Sequence, residues 1–452
     1  MAAPGDLSDG PHASREVEAR GERRARSLPM KPSPSPPWRM IRLLMVSEIL
    51  WSLGEGLFFY LIPVYLQELK AEPQQIGLVL GMGELALTLL YLPVGWVADR
   101  LRHKPLMLGG WIAGLIGVLG MAGATDWRTF APGLTLYLMS GYCLPIIHAY
   151  VARLAGPIPL EQAFPLLSAG YALGGLLTPA LGGWLAQHWG MRRVLLISAG
   201  LFLLSTLTAL FLPMDPPPER PRHRSARELW QGIPWPFGLA LLALFTIGQV
   251  GLALLPNFLQ QAGGWTKAHL GLFASLQALG IILIGPVLGR WDQGRTRPLG
   301  LLSAWGLGWT ALLLLLVGFR YLPLVMGAMT LLGSVYAGYS LAAARILRLA
   351  PPEARATSSA LVHTARSLAL TLGAPIAGFL FALQPAYPLQ VAWLLLPLAI
   401  GLAFWAGALD RKPEVLSSGQ EKVNGVTSIR MALRENGGIV AEHGLEEDMH
   451  GL

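Results

Sequence analysis

Charge is scarce in this sequence. Only 13% of its 452 residues are Asp, Glu, Lys or Arg, about half the share usual in a soluble domain. Cysteine is nearly absent too. The single Cys143 lies inside an apolar run, which excludes an intrachain disulfide framework and a cysteine metal site. There is no P-loop and no polar segment large enough for a nucleotide-binding domain, so ATP hydrolysis by this chain alone is not expected. No clustered nucleophile and base stands out, so no enzyme is expected, and neither a metal site nor a cofactor. No apolar leader precedes the first long apolar run, so no cleavable signal peptide is expected.

What the sequence does have is apolar length. Hydrophobic residues make up 53% of it, gathered into runs almost free of charge. About 20 apolar residues cross a bilayer as a helix, and lipid admits only helices or closed barrels. These runs are too long and continuous for barrel strands. Twelve spans are predicted, at 41–67, 76–98, 105–125, 130–152, 164–188, 191–213, 236–261, 268–289, 298–318, 321–346, 357–382 and 387–409. The fold class is therefore all-α integral membrane protein, with twelve helices in two pseudo-symmetric bundles of six. The predicted organisation is a disordered tail at 1–39, a bundle at 40–213, a Pro- and Arg-rich linker at 214–234, a second bundle at 235–410 and a disordered tail at 411–452.

Loop charges set the expected orientation. Arg100, Arg102, Lys104, Arg153, Arg220, Arg222, Arg224, Arg227, Arg290, Arg295, Arg297, Arg345, Arg348 and Arg355 fall on one side. Lys70, Arg128, Arg192, Arg193, Lys267 and Arg320 fall on the other. The richer side carries both termini and the linker, which are therefore expected to be cytoplasmic. The expected location is the plasma membrane. The net charge of +8 has the same origin, so no nucleic-acid partner is expected.

The two halves repeat. Leu61-Ile62-Pro63-Val64-Tyr65-Leu66-Gln67 in span 1 matches Leu254-Leu255-Pro256-Asn257-Phe258-Leu259-Gln260 in span 7 at an offset of 193. The same offset places Pro93 on Pro286, Asp99 on Asp292, Arg102 on Arg295, Lys104 on Arg297 and Pro105 on Pro298. Spans 5 and 11 share Thr178-Pro179-Ala180-Leu181-Gly182 and Ala374-Pro375-Ile376-Ala377-Gly378 at an offset of 196. Parallel repeats of this kind give transporters a two-bundle body with a site at the membrane midplane. A duplicated membrane scaffold without transport is the plainer alternative.

At Gly95-Trp96-Val97-Ala98-Asp99-Arg100-Leu101-Arg102-His103-Lys104 the chain resembles the signature G-x-L-A-D-R-x-G-R-K of the major facilitator superfamily. It keeps Gly95, Asp99, Arg100 and Lys104 and departs at Val97, Arg102 and His103. The resemblance implies a gate in which Asp99 meets the N-terminus of span 11 near Thr357–Ser359, with Arg153 beside it. Basic residues that only fix topology are the alternative, favoured for Arg102 and Lys104. Gly174-Gly175-Leu176-Leu177-Thr178-Pro179-Ala180-Leu181-Gly182-Gly183 in span 5 is similar to the G-x-x-x-G-P-x-x-G-G pattern of exporting members, with Thr178 at the glycine before the proline. Ordinary helix packing through Gly174, Pro179, Gly182 and Gly183 explains it nearly as well. Proton-coupled drug exporters of that family often carry an arginine in span 4, four residues before a glycine. Here Tyr137 stands at that spacing before Gly141, so coupling must rely on other residues.

Ionisable residues within spans are costly, and each is a functional candidate. Glu48 and Glu55 share one face of span 1, about 10 Å apart along the axis. The repeat counterpart of Glu55 is Gly248, so the duplicated scaffold does not need an acid there. Glu55 is the leading candidate for carrying a proton or binding a cationic group; a neutral packing role is the alternative. Glu84 in span 2 aligns with Gln277 in span 8, and both suit either a cavity lining or a packing hydrogen bond. His148 fits a structural role at the end of span 4 or a titrating one. Arg366 in span 11 fits snorkelling, anion binding or balance of a glutamate. Gln249, Asn257, Thr330, Ser334 and Tyr339 are expected to complete a cavity, with Trp51, Phe58, Phe59, Tyr60 and Tyr137 as aromatic walls.

The expected function is secondary active transport: a monomer in the bilayer that exports small amphipathic molecules in exchange for protons. Two alternatives stay open, a proton symporter taking up a sugar or organic acid, and a non-transporting receptor or assembly factor on the same fold.

Overall fold

The computed structural model of this protein describes residues 37–98, 100–154, 158, 160–216, 235–292, 299–349 and 355–409. Nearly all of the two expected tails, the linker from 217 onward and Asp99 lie outside the described residues. Twelve helical spans are present among the described residues. Five of the first six run 73–98, 103–123, 127–154, 160–189 and 191–210 after a first at 37–68. The second six run 235–261, 267–292, 299–318, 322–349, 355–383 and 387–409. Eleven of them contain a stretch long and apolar enough to cross a membrane. The other, Pro73–Ala98, has 26 residues with Glu84 as its one charge, a length of about 39 Å at 1.5 Å per residue.

Three spans predicted as continuous are broken. Span 1 consists of Pro37–Phe58, a 3₁₀ turn at Phe59–Leu61 and Ile62–Glu68. Span 7 breaks between Leu252 and Leu255, and span 4 has a 3₁₀ turn at Ser140–Tyr142. Pro63 and Pro256 sit in the first turn of the second piece of spans 1 and 7. Proline has no N–H to donate and crowds the carbonyl four residues back, so it interrupts one helix and opens the next. The matching breaks fall on the matching prolines of the repeat. At the start of span 4, Asp126 accepts from the Thr129 N–H at 2.8 Å, a reciprocal cap that satisfies the open helix end.

The duplication is visible in packing. In the first half, span 1 packs on spans 5 and 6, span 3 on 4 and 6, and span 2 on 4. Each pairing recurs in the second half six spans later: 7 on 11 and 12, 9 on 10 and 12, 8 on 10. The halves meet where span 2 packs on 11 and span 5 on 8. Each bundle has an aromatic centre. In the first, Trp51 stacks on Phe202 at 4.0 Å. In the second, Tyr339 meets Phe245 edge-on at 4.5 Å, with Trp305 beside both. A side chain added at Gly248 would run into the Trp305 ring. The second half thus fills with an indole the space opposite the position where the first half carries Glu55.

The halves also close against each other at the end away from the linker, here the far side. The Asn257 amide in span 7 donates to the Pro63 carbonyl at 3.0 Å and to the Gln67 side chain at 2.8 Å, both in span 1. Lys267 at the start of span 8 pairs with Glu68 at 2.5 Å. Its N–H donates to the Gln187 side chain of span 5.

On the linker side, the first residues after span 6 fold back onto the bundle. The buried Asp215 carboxylate accepts from the N–H groups of His103 and Lys104 at 2.8 and 3.1 Å and contacts the His103 ring at 2.8 Å. It thereby caps span 3 from 112 residues away in sequence. Burial alone would raise this carboxyl, but the two backbone N–H groups and the imidazole hold it below its ordinary value. Its stabilising contribution is therefore present above the unfolded value, near pH 4, and is lost as pH falls through the lower folded value. Asp215→Ala is expected to destabilise the first bundle by about 2–4 kcal/mol, because buried N–H groups lose their acceptor. Melting of the purified protein in detergent checks this. The gap between Asp215→Asn and the parent protein should be widest near neutral pH and shrink below about pH 4.

Candidate functional site

A cavity of about 390 Å³ lies between the two bundles, a size within the ~300–1,000 Å³ usual for small-molecule sites. It is lined from the first half by Glu55, Glu84 and Tyr171, and from the second by Gln249, Gln277, Tyr336 and Arg366. A smaller hollow of about 200 Å³ continues into the first bundle and brings in Glu48, Tyr137 and Ser140 beside Glu55, Glu84 and Arg366. Three carboxyls and one guanidinium, spread along the sequence from 48 to 366, thus share one enclosed region. A larger hollow, about 650 Å³, opens between spans 7, 9 and 12 beside Phe258, Phe319 and Trp393; its lining includes no ionisable residue.

Glu55 stands where span 1 passes span 5. The Tyr171 hydroxyl donates to its carboxylate, and the Tyr137 hydroxyl from span 4 is a second hydrogen-bond partner. Two phenols thus orient one carboxyl, and Tyr137 occupies the place where the resemblance would put an arginine. Only its spacing marks Tyr171 in the sequence. Tyr171, Gly174, Thr178 and Gly182 recur at three- and four-residue spacing, which puts them on one helix face. Gly174 and Gly182 let span 5 touch the backbone of span 1 at Ser52–Leu53 and Leu57, where a Cβ would collide. The Thr178 side chain lies against Gly56. The glycine that the pattern expects at 178 has in effect moved across to span 1. Gly183 faces the other half and meets Gly271 of span 8, while Pro179 lines the cavity.

Glu84 joins the two halves. The Ser367 hydroxyl of span 11 donates to its carboxylate at 2.7 Å, and Thr88 donates to Ser367 at 2.8 Å. Nothing in the sequence marks Ser367; a serine in an apolar helix carries no sign of which neighbour it meets. Arg366, the residue before it, is exposed to the cavity, with its guanidinium 5.6 Å from the centre of the Tyr339 ring. The Tyr339 hydroxyl in turn accepts from the Gln249 amide at 3.0 Å.

The remaining candidates lie elsewhere. Asn257 is not part of the cavity lining; it joins the halves on the far side. Thr330 and Ser334 bond within and between packed helices, Ser334 donating to the Ala304 carbonyl at 2.8 Å. His148 is outside both hollows and is electrostatically close to His363 of span 11. Of the signature, Lys104 donates to the Leu210 and Leu212 carbonyls at the end of span 6. Arg153 lies 4.0 Å from Asp215 and donates to the Pro216 carbonyl. Arg100 is exposed at the helix end, and Gly95 lies in the last turn of Pro73–Ala98. With Asp99 outside the described residues, the gate remains an expectation. Asp215 is the acid that the described residues place among these bases.

Comparison with known proteins is consistent with this architecture. The profile of the Major Facilitator Superfamily matches residues 44–251 and 236–441. A putative sugar efflux transporter of Deinococcus radiodurans is 26% identical over 226 residues, 47% of this chain and 58% of that protein. The multi-drug resistance efflux pump PmrA of Streptococcus pneumoniae is 27% identical over 216 residues, 45% of this chain and 52% of the pump. This chain thus spans between half and three-fifths of the length of those relatives. Among solved structures, an inward-facing bacterial homolog of the human lysosomal transporter Spinster superposes with a TM-score of 0.65 at 16% identity, covering 84% of this chain and all of that one. The nucleoside transporter NupG gives 0.63 at 17% identity, covering 82% and 99%. At such identities the likeness is one of fold.

Proposed function

The chain belongs to the major facilitator superfamily, a family of multi-pass membrane transporters, and from that premise we propose that it exports small amphipathic molecules in exchange for protons. The observation that carries this reading is the cavity between the bundles, in which Glu55 is oriented by two tyrosines and faces ionisable groups from both halves. A buried carboxyl can hold either a proton or the positive end of a ligand, and exchange of one for the other couples their movements. The apolar surfaces of Phe59, Leu138 and Ile281 suit the rest of an amphipathic molecule. Efflux is the activity named for both relatives cited above, which supports the outward direction.

In this reading the bundles at 40–213 and 235–410 rock about the contacts of spans 2 with 11 and 5 with 8. The far-side closure through Asn257 and Lys267 corresponds to a state open toward the linker. The charge bias of the loops supports a cytoplasmic linker and cytoplasmic termini, and in the same reading the protein is a monomer in the plasma membrane. Purified protein in liposomes with an internal pH-sensitive dye tests the proposal. Adding members of a panel of amphipathic dyes to one side should move protons the opposite way. Proton movement in the same direction as the dye would make the protein a symporter. No flux of either, from protein that remains folded, would favour a receptor or assembly factor.

A further inference from the structure

The charges in the cavity are unevenly placed, and that unevenness bears on the ligand. On the first-half wall, Glu55 is an acceptor held by two phenols. From the second half, Arg366 lines the same cavity. Its guanidinium rests on the Tyr339 ring, and among the described residues no carboxylate comes within the 4.0 Å of an ion pair. Glu84, a nearby acid, has its carboxylate turned to the Ser367 hydroxyl at 2.7 Å. A guanidinium on a membrane-spanning helix is costly unless it meets an anion or water, and this one is exposed to the cavity. Its planar fork of donors fits the two oxygens of a carboxylate or related acid. Tyr339, itself fixed by Gln249 at 3.0 Å, limits where the fork can point.

We propose that the cargo is a zwitterionic amphiphile, with its cationic group against Glu55, its acidic group against Arg366 and its apolar body along Phe59, Leu138, Ile281 and Leu370. The proposal rests on the exporter reading for the cavity but adds to it that a purely cationic molecule is the poorer ligand. A simple cation would gain Glu55 and lose its water beside an unanswered guanidinium. A simple acid would gain Arg366 but face Glu55, Glu84 and Glu48. A molecule bearing both charges answers both walls at once. Specificity then comes from the penalty on partial matches as much as from the contacts made.

A matched pair of fluorescent probes tests this: rhodamine 110, a zwitterion near neutral pH, and rhodamine 123, its cationic methyl ester. Binding to the purified full-length protein, read by fluorescence polarisation, should favour rhodamine 110. Arg366→Gln should weaken rhodamine 110 by about tenfold or more and leave rhodamine 123 bound as well as before or tighter, since the repelling charge is gone. Arg366→Lys should restore part of the preference, since it returns the charge without the fork. Tighter binding of the ester by the parent protein, or equal loss of both probes in Arg366→Gln with an unchanged melting temperature, would overturn the proposal. The liposome dye assay is read separately. Preference for rhodamine 110 without accompanying proton movement would defeat the exporter reading and leave this assignment standing.

Discussion

In proteoliposomes, Glu55→Gln is expected to cut ligand-driven proton movement on the order of tenfold or more while the protein stays folded. Glutamine is nearly isosteric with glutamate. Its amide oxygen can still accept from Tyr171 and Tyr137, so the contacts that orient span 1 against spans 4 and 5 survive. What it cannot do is lose a proton. A residue that only packs would leave flux unchanged on this substitution, and that result would sink the coupling role. Glu48→Gln and Glu84→Gln serve as comparisons. Glu84 is tied to Ser367 across the bundle interface, so its amide should keep the tie and retain more activity. Glu48 lies in the smaller hollow toward the linker side, and its loss should slow proton movement without changing which dyes bind. If Glu48→Gln proves as severe as Glu55→Gln, the two carboxyls act as one unit and the assignment shifts to the pair.

Much of this architecture was legible because lipid is a demanding solvent. A span must be long, apolar and helical, so twelve of them could be counted from hydrophobic runs alone. The repeat was legible for the same reason: Pro63 and Pro256 stand at one register and break spans 1 and 7 at one place. The repeat also pointed to Glu55, since its counterpart Gly248 packs on Trp305 and has room for no side chain. What stayed hidden were the partners. Tyr171, Ser367 and Tyr336 are ordinary residues in apolar helices; only the packing of different spans reveals that Tyr171 and Tyr336 line one cavity and that Ser367 holds the Glu84 carboxylate. Asn257 was legible as polar and within a span, yet nothing local told whether it faced the cavity or the opposite bundle. Asp215 was hidden by its setting. It opens a stretch rich in proline and arginine, and its partners lie more than 100 residues earlier. Gly183 belonged to a motif that could have meant simple packing. Its position against Gly271 gives that packing a consequence for rocking.

Gly183→Val is expected to hold the transporter open toward the far side and to lower transport on the order of tenfold. Spans 5 and 8 are in backbone contact at Gly183 and Gly271, and a Cβ at 183 would collide with the Lys267 carbonyl and the Gly271 backbone. Gly77 of span 2 and Gly378 of span 11 make the same contact at the other interface. The two seams are thus related by exchange of the halves, and both tighten on the far side. Main chain cannot yield as a flexible side chain can, so the added methyl groups must push the bundles apart. That separation would loosen the Lys267 pairing with Glu68 and the Asn257 bridge to span 1, which lie beside the seam. The protein's single cysteine makes the outcome measurable. With Cys143→Ser as background, Tyr60→Cys places one thiol on the cavity wall. An impermeant maleimide added from the far side should label it slowly when residue 183 is glycine and several-fold faster when it is valine. Unchanged labelling with lost transport would mean that the seam governs stability rather than access, and melting of the same preparation would show it.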